Sequence, residues 1–197
     1  MNETEIENLA EKAIKDDKLF SELLEKILSK KDEIRYPSFK VLLLISQDHP
    51  EVLYPKWDFF ADLINSDNAY RRLIAVQLIS NLTKVDTEQK FEKIFDKYYN
   101  LLNDSVIVSV HLASNSGKIA KTKPELETEI TKKLLGIENI DHKHKELIKS
   151  GAIEAFGEYF EESKNQKKIL EFVKKQLESS SPKTKKKAKE FLKKLDK

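Results

Sequence analysis

The residues of this 197-residue chain whose types and spacing could do chemistry are four histidines, three arginines, a run rich in small hydroxyl residues and one tryptophan. His49 stands before Pro50, His111 lies within SVHLASNSG, and His142 and His144 are two apart beside Asp141. A zinc-type site takes three or four ligands at compatible spacings. An i, i+2 pair does not share a helix face, so this spacing predicts no metal site. HLASNSGKIA, residues 111–120, offers serines. Nucleophilic catalysis needs a neighbouring base and an oxyanion hole, and no G-x-S-x-G elbow is present. The residue types fit instead a helix that a neighbour approaches closely, with Gly117 accepted inside it at about 1 kcal/mol relative to alanine. No Gly-rich phosphate loop of the Walker or dinucleotide-binding kind occurs. With no cysteine, disulfides, thiolate metal sites and a cysteine nucleophile are excluded. No residue is therefore assigned a catalytic, cofactor-binding or metal-binding role, and no binding residue is singled out.

The arginines and aromatics pose a different question. All three arginines, Arg35, Arg71 and Arg72, stand at the start of apolar-periodic segments, and every other basic residue except histidine is lysine. Arginine suits places where a planar, bidentate partner to a carboxylate is wanted. In YPKWDFFADLI, Trp57, Phe59 and Phe60 are candidates for a recognition patch, because aromatics dominate interface hot spots. Phe60, Leu63 and Ile64 read more simply as core, and Trp57 as half-buried.

The elements that must position these residues repeat. Helical segments begin at Asp32, Asp67, Asp104, Asp141 and Ser181, separated by 35, 37, 37 and 40 residues. The four aspartates are expected as N-caps, where a carboxylate accepts free backbone N–H groups. Ser181 followed by Pro182 is a cap with proline at the first helical position. Each of the first four units continues into a second periodic segment. Pro50 and Pro124 sit where a first turn tolerates proline. Phe91, Ile94, Phe95, Tyr98 and Leu102 share one face at helical spacing. Only four glycines and five prolines interrupt a chain dominated by Lys, Glu, Leu and Ile, which favours helix throughout.

Paired helices at a period near 37 resemble the HEAT/armadillo family of α-solenoids, across almost the whole chain. The resemblance rests on Asp32 with Arg35, Asp67 with Arg71, and the small residues Ala75 and Ala113. It implies an all-α, right-handed α-α superhelix of about five to six hairpins, a single domain over 1–197. The expected repeats are 3–31, 32–66, 67–103, 104–140 and 141–180, with 181–197 a terminal helix. It also implies a partial Asp–Arg ladder between neighbouring repeats. Such stacking leaves an elongated surface better suited to binding than to a deep catalytic cleft.

A second, partial resemblance is to the HEAT-like alkylpurine DNA glycosylases. SDNAYRR, residues 66–72, is similar to a shortened S-x-N-x-W-x-R-R. KELIKSGAIEAFGEYFEES and SPKTKKKAKEFLKKL are similar to their C-terminal repeats. It would place Arg71 or Arg72 on a DNA backbone and Tyr70 in the aromatic position. The sequence departs from that pattern: the spacing before Arg71 is one residue short, WDFFAD sets Asp62 one residue late for the W-D-x-x-D element, and Trp57 is alone. The chain is expected not to be an enzyme.

The net charge of +2 is unevenly placed, with thirteen lysines and six acids from residue 161 onward giving +7 there and −5 in the rest. A basic end could meet a polyanion or could be a solvated lysine face. The longest apolar run, VLLLI at 41–45, is far short of a membrane span. The acidic N-terminal segment has no apolar secretory region. These features predict a cytoplasmic, non-catalytic interaction module with a protein partner. Nucleic-acid binding through the basic C-terminal region is the alternative, with no cofactor, small-molecule substrate or membrane.

Overall fold

A computed structural model describes residues 1–195. Its regular structure is entirely helical among those residues. The helices are α1 (Glu3–Ala13), α2 (Asp17–Lys26), α3 (Asp32–Asp48), α4 (Pro50–Leu53), α5 (Trp57–Leu63) and α6 (Ala69–Leu82). They continue as α7 (Lys90–Asn100), α8 (Val106–Thr122), α9 (Glu127–Leu135), α10 (Lys145–Tyr159), α11 (Gln166–Lys175) and α12 (Pro182–Leu195). Short 3-10 turns, such as Thr83–Val85 and Leu101–Asn103, tighten several helix ends. No described helix is long and apolar enough to cross a membrane.

The chain packs as two compact units, Met1–Lys93 and Ile94–Lys197, with the division inside α7. In the first unit α3 packs against α1, α2 and α6, and α5 lies against α6. In the second, α8 packs on α10 and α10 on α12, while α9 and α11 contact each other and their longer neighbours. The expected repeat 32–66 thus holds α3 followed by α4 and α5, and 104–140 holds α8 followed by α9.

Apolar residues at three- and four-residue spacing build each core. Leu42, Ile45, Phe60, Leu78 and Ile79 are fully enclosed in the first unit, and Leu112, Ile119, Ile148 and Phe156 in the second. Each such side chain contributes about 1.5–3 kcal/mol relative to exposure. Trp57 is only 2% exposed, its ring tilted against Tyr54 at 5.8 Å. The expectation of a half-buried tryptophan is corrected: Trp57 opens α5 on its inward face, in phase with Phe60 and Ile64.

Capping differs from the sequence expectation. Asn68, not Asp67, caps α6, its Oδ1 accepting from the N–H groups of Tyr70 and Arg71. Asp32 is already the first helical residue of α3. Asp104 accepts from the N–H of Ser105 ahead of α8. Asp141 precedes α10 by four residues, because His142 and His144 form a turn in between. The carboxylates still lie near positive helix ends, where a charge is favourable without a direct cap. Ser181 does cap α12, accepting from the Thr184 N–H at 3.3 Å, with Pro182 first in the helix.

Glycine sets the approach of α8 and α10. A Cβ on Gly117 would fall 2.8 Å from the Ala155 carbonyl oxygen, and one on Gly151 would fall 2.6 Å from the Val110 carbonyl oxygen. Each helix therefore offers a glycine to the other's backbone, which is the close packing that the small residues of 111–120 imply.

Candidate interaction surface

The histidine candidates do not converge. Among the described residues no group of three or more His, Asp or Glu is placed to hold a metal. Both ring nitrogens of His142 are committed: Nε2 donates to the Asp104 carbonyl at 2.7 Å, and Nδ1 accepts from the His144 backbone N–H at 3.0 Å. That arrangement pins the turn before α10. His49 lies beside Glu51 at 3.3 Å at the start of α4. His111 is partly buried on α8, and its pKa is lowered, first by burial and then by Lys183.

The arginine heads turn inward. Arg35, 5% exposed, donates to the Ser29 carbonyl at 3.1 Å and to Asp32 Oδ1 at 2.8 Å. Arg71 Nη2 donates to the Leu28 carbonyl, and its Nε is buried with no hydrogen-bond partner. Arg72 Nη1 donates to the Ser66 carbonyl. The Asp–Arg pairing thus closes within the first turn of α3, and Arg71 ties its helix to the preceding segment through a carbonyl instead of a carboxylate. Asp62 is exposed on α5.

One arginine, Arg35, supports an exposed aromatic ring. The guanidinium of Arg35 lies 4.4 Å from the ring centroid of Tyr70, which is 52% exposed. Buried on its own side, Arg35 holds one face of that ring and leaves the rest open to solvent. Tyr36 is 51% exposed on α3, with the Lys40 ammonium 4.9 Å from its ring centroid. Asp32, Tyr36 and Lys40 follow one another at i, i+4 spacing, so they share a face. Lys40 also borders a groove of 380 Å³ between α1 and α3, with Ile6, Leu43 and Leu44 partly exposed and Glu3 and Glu7 on its rim. Sequence reading named Tyr70 only within the glycosylase-like pattern and missed Tyr36, Lys40 and the groove residues. The available signal was the run VLLLI, whose five apolar positions exceed the stripe that one buried helix face needs.

In the second unit some of the α12 lysines are paired with carboxylates. Lys187 of α12 contacts Glu154 of α10 at 2.9 Å and Glu190 at 3.7 Å, and Lys186 contacts Glu190 at 3.9 Å. The hydrogen bond to Glu154 raises the pKa of Lys187. Glu158, also on α10, has its pKa raised by burial, opposed by Lys118 and Lys121 of α8. Carboxylates of α10 thus face lysines on both neighbouring helices, and part of the basic C-terminal segment is answered by its own unit.

Buried polar ties brace the helices beneath these surfaces. Glu127, 7% exposed, accepts from Thr131 at 2.9 Å and from Ser163 at 2.5 Å, and Tyr159 donates to Thr131 at 2.8 Å. Burial alone would raise the Glu127 pKa, but hydrogen bonds from Ser163, Thr131, Asn165 and Thr128 outweigh it and hold it below the ordinary carboxylate value. Asp86 plays a similar part in the first unit, accepting from the Tyr54 hydroxyl at 2.7 Å and from the N–H groups of Lys90 and Phe91 at 2.9 Å.

No family model matches the chain, and no curated protein matches it.

Proposed function

We propose that this chain is a HEAT/armadillo-like α-solenoid that works as a non-catalytic interaction module for a protein partner. The observation that carries this reading is the pair of exposed tyrosines, Tyr36 and Tyr70, held at the starts of α3 and α6 by cations of the chain itself. Exposed aromatics on rigid helices are the usual anchors of protein interfaces. The arginine heads, which a phosphate site would need outward, each donate to a backbone carbonyl. Without cysteine the core needs no disulfide, which suits a cytoplasmic setting.

The alternative, nucleic-acid binding, is favoured by the +7 segment from residue 161. Two measurements separate the readings. The first is binding to a fluorescent duplex and a single strand at low and near-physiological salt. The second is photo-crosslinking from a benzoylphenylalanine placed at Tyr36 or Tyr70 in a cell extract. A protein module gives discrete protein cross-links from those positions and nucleic-acid binding no tighter than the non-specific range. Micromolar binding to nucleic acid at near-physiological salt, with a steep salt slope and no protein cross-links, would overturn the proposal.

A further inference from the structure

On α3, Tyr36, Lys40, Leu43, Leu44 and Gln47 recur at three- and four-residue spacing along about 16 Å of helix. The last four line the groove against α1, whose floor includes Ile6 and whose rim carries Glu3 and Glu7. Those two carboxylates are one turn apart and solvent-exposed, and α1 as a whole carries Glu3, Glu5, Glu7 and Glu11 against Lys12 alone. Two cations border the groove: the Lys40 ammonium is drawn toward the Tyr36 ring, and the N-terminal ammonium of Met1 lies 3.9 Å from Glu5 Oε2. The groove therefore presents Ile6, Leu43 and Leu44 as an apolar floor beside an α1 edge whose four carboxylates outnumber Lys12 and the N-terminal ammonium.

From this geometry we infer that the α1–α3 groove receives a basic amphipathic helix of a protein partner, with apolar side chains on Ile6, Leu43 and Leu44 and lysine or arginine facing Glu3 and Glu7. Helix-in-groove recognition uses anchors at i, i+3 or i+4, and i+7, which matches the length and spacing available. The charges on the rim set orientation and encounter rate, and the apolar floor supplies the affinity. This inference rests on the reading of the chain as a protein-binding module and names the chemistry of what it binds.

The test uses the full chain and two labelled helical peptides of about four turns, identical in leucine spacing, one carrying lysine on its polar face and the other glutamate. Fluorescence anisotropy of the lysine peptide should give saturable binding, while the glutamate peptide binds at least about tenfold more weakly. Leu44→Glu should weaken the lysine peptide about tenfold or more. Because Leu44 is partly buried, the exposed double variant Glu3→Lys with Glu7→Lys provides the second arm. It should fold like wild type and weaken binding about fivefold, with a smaller salt dependence. Equal binding of both peptides, indifference to both variants, or no binding of the lysine peptide up to about 1 mM would overturn the inference. So would concentration-dependent self-association abolished by Leu44→Glu, which would give the groove to a second copy. Failure here is distinct from failure of the module reading: discrete protein cross-links from Tyr36 or Tyr70 would still stand.

Discussion

A methyl group is enough to distinguish the glycines. On Gly151 it would meet the Val110 carbonyl oxygen at 2.6 Å and the Ser114 nitrogen at 3.0 Å, both backbone atoms that cannot swing away. On Gly136 it would meet nothing within 4 Å, at an ordinary helical φ of −63°. Gly151→Ala should therefore cost about 1–3 kcal/mol through forced separation of α8 and α10. Gly136→Ala should stabilise by about 0.5–1 kcal/mol by restricting the unfolded chain. Urea midpoints of the two variants, moving in opposite directions from wild type, check this. Gln89 offers a third contrast, since its φ of 54° lies in the left-handed region. The turn is held there because Asp86 reaches past it to the N–H groups of Lys90 and Phe91. Glycine occupies that region without steric penalty. Gln89→Gly should raise stability by about 0.5–1 kcal/mol, and with it the midpoint, and Gln89→Val should lower both.

At the scale of helices, the joints depend on buried polar groups that periodicity does not reveal. Glu127 closes α9 onto Ser163 and Asn165 beyond the end of α10. Its folded pKa lies below the ordinary carboxylate value, so the ionised form is the stabilising one. That stability is fully present above the unfolded pKa, near 4.3, and is lost as pH falls through the folded value. Glu127→Gln should therefore be less stable at pH 7, and its stability should fall less than wild type's between about pH 5 and pH 3. Denaturant titrations at a series of pH values read both effects. The helices themselves were legible because Phe91, Tyr98 and Leu102 fall on one face with charged residues opposite, and because prolines and polar breaks mark the ends. The cap identities were not: Asp67 and Asn68 are both good caps, and only the backbone geometry selects Asn68. Trp57 was read as half-buried because an aromatic can serve a recognition patch or a core, and only the phase it shares with Phe60 places it inside, with Lys56 and Asp58 exposed. The α3 surface escaped notice because five consecutive apolar residues carry no phase, so Leu43 and Leu44 could not be told from Leu42 and Ile45.

Across the whole molecule the deciding quantity is how much of the basic C-terminal charge is free. Composition alone gives +7 beyond residue 160, which would suit phosphate. Within that segment the structure sets Lys187 against Glu154, and it places Glu158 of α10 in the field of Lys118 and Lys121 of α8, so these lysines already have anionic neighbours. A phosphate backbone would have to compete with these carboxylates, and the gain from counterion release falls accordingly. Neutralising both carboxylates, as Glu154→Gln with Glu158→Gln, raises the net charge from +2 to +4 and removes the competition. The wild-type chain should then bind a duplex weakly, with a shallow salt slope. The double variant should bind more tightly at low salt, with a slope steeper by about 0.9 for each lysine freed. Adding neutral replacements at Lys118, Lys121 and Lys187 should abolish that gain without changing protein cross-linking from Tyr36 or Tyr70. If the carboxylate variants bind no better than wild type while wild type itself shows a steep slope, the lysines are free in solution, and the polyanion reading displaces the protein-partner one.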